Sequence, residues 1–166
     1  MTALSSPVAI VRDLFIDSLL FLRLVPRQRP LAVVDIGAGA GIPGLPMRLV
    51  EPGLVVTLVE ARRKRVSFLL AACREMGLTE GIRVIEGRAE ERVLEQENLG
   101  ESFDVAVSRA VGPIDQLLPT ALPYLKSGGL LVVSAAPGAQ PIPGVDVVHV
   151  EVPGLPGKRA FLTAHK

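Results

Sequence analysis

The stretch Val34-Asp35-Ile36-Gly37-Ala38-Gly39-Ala40-Gly41-Ile42-Pro43-Gly44 is the densest chemistry-bearing pattern in the chain. An apolar run ends in closely spaced glycines and passes into a helix through a proline. Glycine has no Cβ, so a ligand can lie directly against such a backbone, and the first N–H groups of the following helix have no partner within it. The pattern reads as a binding loop for a small polar molecule. A tight strand-to-helix turn without a ligand is the structural alternative.

Two ligand classes compete for this loop. Gly39-Ala40-Gly41-Ile42-Pro43-Gly44 satisfies the G-x-G-x-x-G pattern of dinucleotide binders, and Glu60 stands about twenty residues on, where a ribose-binding acid belongs. Two details favour S-adenosylmethionine: Asp35 precedes the first glycine by two positions, and Gly37 widens the loop where a carboxylate and an amine would sit. A hydride-transfer enzyme would also need a substrate domain that this chain has no length to supply.

Further polar residues fall at the ends of the apolar runs. Glu60 ends the second run, where a carboxylate can accept both ribose hydroxyls, or else serve as a surface or capping acid for the next helix. Arg88-Ala89-Glu90 follows the third run, where backbone groups can meet an adenine ring. Asp104 begins the fourth run and Ser108-Arg109-Ala110 ends it, so Arg109 points toward the site, with an ion pair to a structural acid as the alternative. Arg62-Arg63-Lys64-Arg65 opens the helix after Glu60, the end where a helix dipole favours acids. That mismatch hints at an anionic partner, although a solvated helix face is the commoner explanation of a charge run.

Composition narrows the classes. With 166 residues, 49% of them hydrophobic and only 4% aromatic, the chain suits one domain whose core is built from Leu, Val, Ile and Ala, a palette for a buried parallel sheet. The net charge of +1 leaves any nucleic-acid reading to local patches. A single cysteine, Cys73, and two histidines, His149 and His165, offer no disulfide and no metal-ligand spacing, so no metal is expected and a reducing, cytoplasmic setting is. The apolar stretch Val8 to Val25 is interrupted by Arg12, Asp13, Asp17 and Arg23, which argues against a signal peptide or a membrane span.

The elements that must position these residues follow from periodicity. Strands are expected at Leu31 to Ile36, Leu54 to Glu60, Ile82 to Glu86, Phe103 to Ser108 and Leu130 to Ser134, with helices at Arg62 to Met76, Ala89 to Gln96 and Ile114 to Leu125. Strand–helix alternation implies a parallel sheet. Val66, Leu69, Leu70, Cys73 and Met76 form one helix face, with Cys73 in the core and Gly77 as the stop. The Pro/Gly-rich segment after Ser134 has no composition for a crossover helix, so an extended loop leads to two last strands, Val145 to Val152 and Arg159 to Ala164, paired as a hairpin. At the other end, Val8 to Val25 forms a helix with Val8, Val11, Leu14, Phe15, Leu19 and Leu22 toward the domain. Ile16, Leu20 and Leu24 fall on its outer face, which suggests that something covers them, such as a second copy of the chain. The organisation is thus one domain, 1–166, with an N-terminal helical segment at 1–25 and a core at 31–166.

These residues resemble one family closely: the RsmG, or GidB, methyltransferases, which methylate N7 of a guanine in small-subunit ribosomal RNA. The resemblance runs through Asp17-Ser18-Leu19, Asp35 to Pro46, Lys64-Arg65-Val66-Ser67-Phe68-Leu69, Arg88-Ala89-Glu90, Ser108-Arg109-Ala110-Val111 and Lys158-Arg159. It implies an α/β, Rossmann-like class I fold with a mostly parallel seven-stranded sheet and an antiparallel C-terminal hairpin. It also implies S-adenosylmethionine as cofactor, with Gly37, Ile42, Ala89, Glu90 and Arg109 contacting it and Glu60 at its ribose; Gly39 and Gly41 join them from the loop pattern. Arg109 is the candidate for positioning the reaction, and Arg62, Arg63, Lys64 and Arg65 for contacting RNA. The chain departs from the family in three places: a helical arm precedes the position of Met1 in the family, Leu14 stands where the family has histidine, and Ala135 where it has lysine. A methyltransferase of another substrate, recognisable by a closed apolar pocket, and a silent cofactor-binding protein on the ribosome are the alternative functions. A nicotinamide oxidoreductase is a more distant one.

Overall fold

The computed structural model describes residues 11–89, 91–109, 112–152 and 157–166. The strands are β1 (Leu31–Ile36), β2 (Leu54–Glu60), β3 (Ile82–Glu86), β4 (Phe103–Arg109), β5 (Leu125–Ala135), β6 (Asp146–Glu151) and β7 (Lys158–His165). They form one seven-stranded sheet in the order β3-β2-β1-β4-β5-β7-β6. The first five run parallel, while β7 pairs antiparallel with both β5 and β6. A right-handed crossover between parallel strands needs a covering element, whereas an antiparallel partner needs only a turn. The Pro/Gly-rich segment before β6, which holds no helix, accordingly leads into the antiparallel part.

Side-chain alternation builds two cores, one on each face of the sheet. Leu31 and Val33 of β1, Leu54, Val56 and Leu58 of β2 and Val105 and Val107 of β4 point to one face. There they meet Leu45 and Met47 of α3 (Gly44–Val50) and Leu69 and Cys73 of α4 (Arg63–Glu75). Val34, Ile36, Val59, Ala106 and Leu131 point to the other, toward Val93 of α5 (Glu91–Gln96) and Leu117 and Ala121 of α6 (Ile114–Ala121). Within α4, Val66, Leu69 and Cys73 are buried as expected, but Leu70 and Met76 lie at the edge of the stripe and are exposed.

Two expectations are corrected. The helix expected from Ile114 to Leu125 ends at Ala121 and tightens into a 3₁₀ turn over Leu122–Tyr124, and β5 begins at Leu125 instead of Leu130. Pro123 contributes to this: it lacks the N–H that a continuing helix would bond to the Pro119 carbonyl, although Leu122 before it keeps helical geometry with φ of −57° and ψ of −37°. The N-terminal segment is wound in three ways, a π-helical α1 (Val11–Ile16), one α-helical turn α2 (Asp17–Leu20) and a 3₁₀ turn at Phe21–Arg23. This rewinding rotates the expected faces. Leu20, placed outward by an ideal wheel, is buried with Phe21 and Val25 in the first core, and Leu24 packs partly against it. Phe15, placed inward, is 40% exposed. This chain therefore covers Leu20 itself, and that residue gives no ground for a second copy.

An edge-to-face contact of Phe21 on Phe161 of β7, with centroids 5.0 Å apart, fastens the segment to the sheet. Phe21→Ala should cost about 3–5 kcal/mol of unfolding free energy. Phe15→Ala should stay within about 0.5 kcal/mol, as at an exposed position. Denaturant unfolding of the two variants checks this; the reverse order would restore the ideal-wheel placement.

Candidate cofactor site

The strand order reverses between β1 and β4, and in open α/β sheets ligands bind outside the carboxyl ends of the strands at such a switch point. Register brings those ends level: Ile36 lies beside Val59, Glu60 beside Glu86, and Asp35 beside Val107. The residues that follow β1 to β4 consequently share one edge.

The glycine loop is built by backbone bonds. Gly37 and Ala38 donate N–H to the Val59 carbonyl at 2.9 and 3.0 Å, extending the β1–β2 pairing past the strand end. The chain then turns through left-handed geometry at Gly37, Gly39 and Gly41, with φ of 72°, 60° and 87°, which residues with a Cβ adopt only with strain. Gly41 serves packing: an added Cβ would stand 2.2 Å from Cδ1 of Leu45.

Two carboxylates hold this loop. Asp35 is fully buried in β1, and its Oδ2 accepts the Gly44 N–H at 2.8 Å, tying the start of α3 to the strand. An added Cβ at Gly44 would lie 2.8 Å from that same oxygen, so only glycine fits. Burial pushes Asp35 up to about 7, against the lowering effect of the Gly44 bond, and the charge of Glu60 adds to the rise. Glu60, 4% exposed at the end of β2, accepts the Gly39 N–H at 2.9 Å on Oε2 and the Arg62 N–H at 2.8 Å on Oε1. Arg65 approaches Oε2 at 3.5 Å. The ligand-facing and helix-capping roles of Glu60 are thus compatible in one side chain.

Over these groups opens a cavity of about 1620 Å³. Gly37, Gly39, Ile42, Glu60, Ala89, Arg109 and the run Arg62, Arg63, Lys64 and Arg65 all line it. Gly41 does not, being occupied with Leu45, and Glu90 lies outside the described residues. Asp35 also stands behind the loop, not in the cavity. Leu14, the position where the resemblance implies a histidine, lines the wall as well, together with Phe15, Phe68, Gln116, Leu117 and Thr120, which the sequence pattern did not place there. Phe68, 53% exposed, falls outside the buried stripe of α4, which was the one available clue. Among the described residues no group of three metal-ligating side chains occurs, and no helix is long and apolar enough to cross a membrane.

The position of Asp35 has a pH consequence. Its folded pKa lies above the ordinary 3.8, so the native state holds a proton that the unfolded chain releases. Its contribution is fully present below about pH 4 and is lost as pH rises through about 7, a change of up to ~4 kcal/mol. Unfolding free energies of wild type and Asp35→Asn, compared across pH, should diverge over that window, with the wild type losing ground as pH rises. A constant difference would contradict the placement.

Comparison with known proteins agrees with this architecture. Among solved structures, a predicted O-methyltransferase from Agrobacterium tumefaciens superposes with a TM-score of 0.71 at 22% identity, covering 89% of this chain and 79% of its own. An S-adenosylmethionine-dependent methyltransferase from Aquifex aeolicus gives 0.67 at 16% identity, over 96% of this chain and 93% of its own. Both likenesses establish the fold, that of class I methyltransferases. The ribosomal RNA small subunit methyltransferase G of Moorella thermoacetica is 38% identical over 140 residues, 84% of this chain and 58% of that protein. The chain spans a little over half the length of the curated relatives it matches. The family model described as rRNA small subunit methyltransferase G matches residues 1–138, and the chain belongs to that family, GidB.

Proposed function

We propose that this chain acts as a single methyltransferase domain that uses S-adenosylmethionine to methylate N7 of a guanine in small-subunit (16S) ribosomal RNA. The observation that carries the reading is the pair formed by Glu60 and the glycine loop on one wall of an open, basic cavity. S-adenosylmethionine needs a carboxylate for two ribose hydroxyls and a backbone that tolerates close approach. Glu60 is already oriented by two N–H groups and retains lone pairs for those hydroxyls. A Cβ built on Gly39 would meet no protein atom closer than 3.7 Å, so the space over that glycine is open toward the cavity. Gly37, Ile42, Ala89 and Arg109 would complete the cofactor contacts. When bound, the cofactor supplies an electrophilic methyl group.

The substrate side follows from charge and size. Among the described residues, Arg62, Arg63, Lys64, Arg65, Arg88 and Arg109 line the cavity against one acid, Glu60. Its volume, about 1620 Å³, exceeds the ~300–1,000 Å³ of ordinary small-molecule pockets, and its rim is basic, not closed and apolar. Phosphates of an RNA chain match such a rim. Guanine N7 offers an in-plane lone pair and loses no proton on attack, so the cavity's lack of a histidine or cysteine among its described residues fits the chemistry. The protein's work is to orient base and cofactor and to exclude competing geometries.

Titration calorimetry with S-adenosylhomocysteine should show binding to the wild type and a loss of about 10-fold or more in Glu60→Gln, the scale of one charge-assisted hydrogen bond. Gly39→Ala should bind less well and also lose about 1–2 kcal/mol of stability, because its φ of 60° strains a residue with a Cβ. Separately, replacing Arg62, Arg63 and Lys64 by alanine should flatten the salt dependence of RNA binding by about 0.7 per lost phosphate contact and leave S-adenosylhomocysteine affinity unchanged. An unchanged salt slope would remove the basic run from the RNA interface. Methylated RNA containing no N7-methylguanine would overturn the proposed reaction.

A further inference from the structure

A second hollow, of about 170 Å³, lies beside the cofactor cavity on the β5–β7 side. Arg109 lines both, so the two share a wall at the end of β4. The floor is aromatic, formed by the buried pair Phe21 and Phe161. Its polar groups come from distant parts of the chain. Asp17, the first residue of α2, accepts a bond from Nε of Arg159 on β7 at 3.0 Å, with side chains 24% and 21% exposed. Phe21, four residues after Asp17, and Phe161, two after Arg159, anchor the elements that carry both partners, and Ser18 bonds back to the Leu14 carbonyl, so the carboxylate is held in place. The β7 wall lies beyond residues 1–138, the part of the chain that matches the family model.

We propose that this hollow receives the purine to be methylated and that Asp17 reads its Watson–Crick edge; the inference rests on the guanine-N7 reading above. Size allows one six-membered ring: a cavity of about 150 Å³ accommodates benzene, so this hollow seats the ring that carries a purine's Watson–Crick edge, and its open side leaves the five-membered ring to project out of it. The chemistry selects among bases. Guanine presents N1–H and N2–H side by side, which a carboxylate accepts as two parallel bonds. Adenine presents the N1 lone pair there, which a carboxylate repels. N7 lies on the neighbouring Hoogsteen edge, separated from N1 by O6. A guanine gripped at N1 and N2 by Asp17 therefore turns N7 away from Asp17, toward Arg109 and the cofactor cavity.

The same contact favours the reaction. The N7 lone pair forms the new N–CH₃ bond, the electrons of the S–CH₃ bond return to sulfur, and no proton moves. Positive charge passes from the sulfonium to the base, which makes N1–H a stronger donor as the bond forms. A fixed carboxylate at that edge binds the transition state more tightly than the ground state. Arg159 acts as the positioning residue that holds the Asp17 carboxylate aimed, through its 3.0 Å contact.

The test is a titration of GMP and of AMP into the wild type and Asp17→Asn, with and without S-adenosylhomocysteine present. The wild type should prefer GMP by about 10-fold or more, the worth of one bidentate contact. Asp17→Asn should bring the two nucleotides to near parity while its affinity for S-adenosylhomocysteine and its melting temperature stay put. A purely structural ion pair would leave base preference untouched. Equal affinity of the wild type for the two nucleotides, including none for either at millimolar concentration, overturns the inference, as does a GMP preference that survives in Asp17→Asn. Methylation of small-subunit RNA by the wild type, assayed in parallel, separates the claims. GMP preference without N7-methylguanine in the RNA sinks the proposed function alone, and N7-methylguanine without GMP preference sinks only the role of Asp17.

Discussion

The carboxylate of Glu60 joins three parts of the structure that must agree for the site to exist. It ends β2, accepts the Gly39 N–H of the loop that leaves β1, and accepts the Arg62 N–H at the mouth of α4. Each of those N–H groups stands where regular structure leaves a donor without a partner. A buried acid is costly unless such donors surround it, and here they do. The requirement that stabilises Glu60 also fixes the loop against the strand edge. Asp35 performs the parallel task one strand away and out of the cavity, where its single bond to Gly44 closes the far side of the turn.

Charge around this frame is divided between work inside the protein and work at the rim. Arg65 is drawn toward Glu60, whereas Arg62, Arg63 and Lys64 are exposed. The unfavourable placement of four cations at a helix start is thus partly relieved by the acid beneath it. Leu14 lines the large cavity and Ala135 the small one, the two positions at which the resemblance implies a histidine and a lysine. The polar character of the small hollow then rests on Ser134 and on Asp17, Arg109, Lys158 and Arg159.

Much of this was legible in the sequence because it depends on local pattern. β1, β2 and β3 begin and end where period-two apolar runs do, and Gly77 stops α4 with φ of 68°. The loop glycines announced themselves by spacing. What escaped depends on geometry that a fixed helical period does not carry. The π-helical winding of α1 rotates everything after it, so Leu20 turned inward and Phe15 outward against an ideal wheel. Gly41 carried the same loop signal as Gly39, yet its missing Cβ makes room for Leu45 and not for a ligand. Phe68 and Asp17 could not be placed because their surroundings come from elements far away in the chain: Asp17 meets Arg159 across the whole domain core.

Glu60 is proposed as the anchor of a preformed cofactor site, and a crystal structure of the chain with S-adenosylhomocysteine tests that directly. Both ribose hydroxyls should lie within hydrogen-bond distance of the Glu60 carboxylate while the bonds from Gly39 and Arg62 persist. A ligand bound elsewhere, or a Glu60 that touches only protein while the cofactor lies in the cavity, would contradict it.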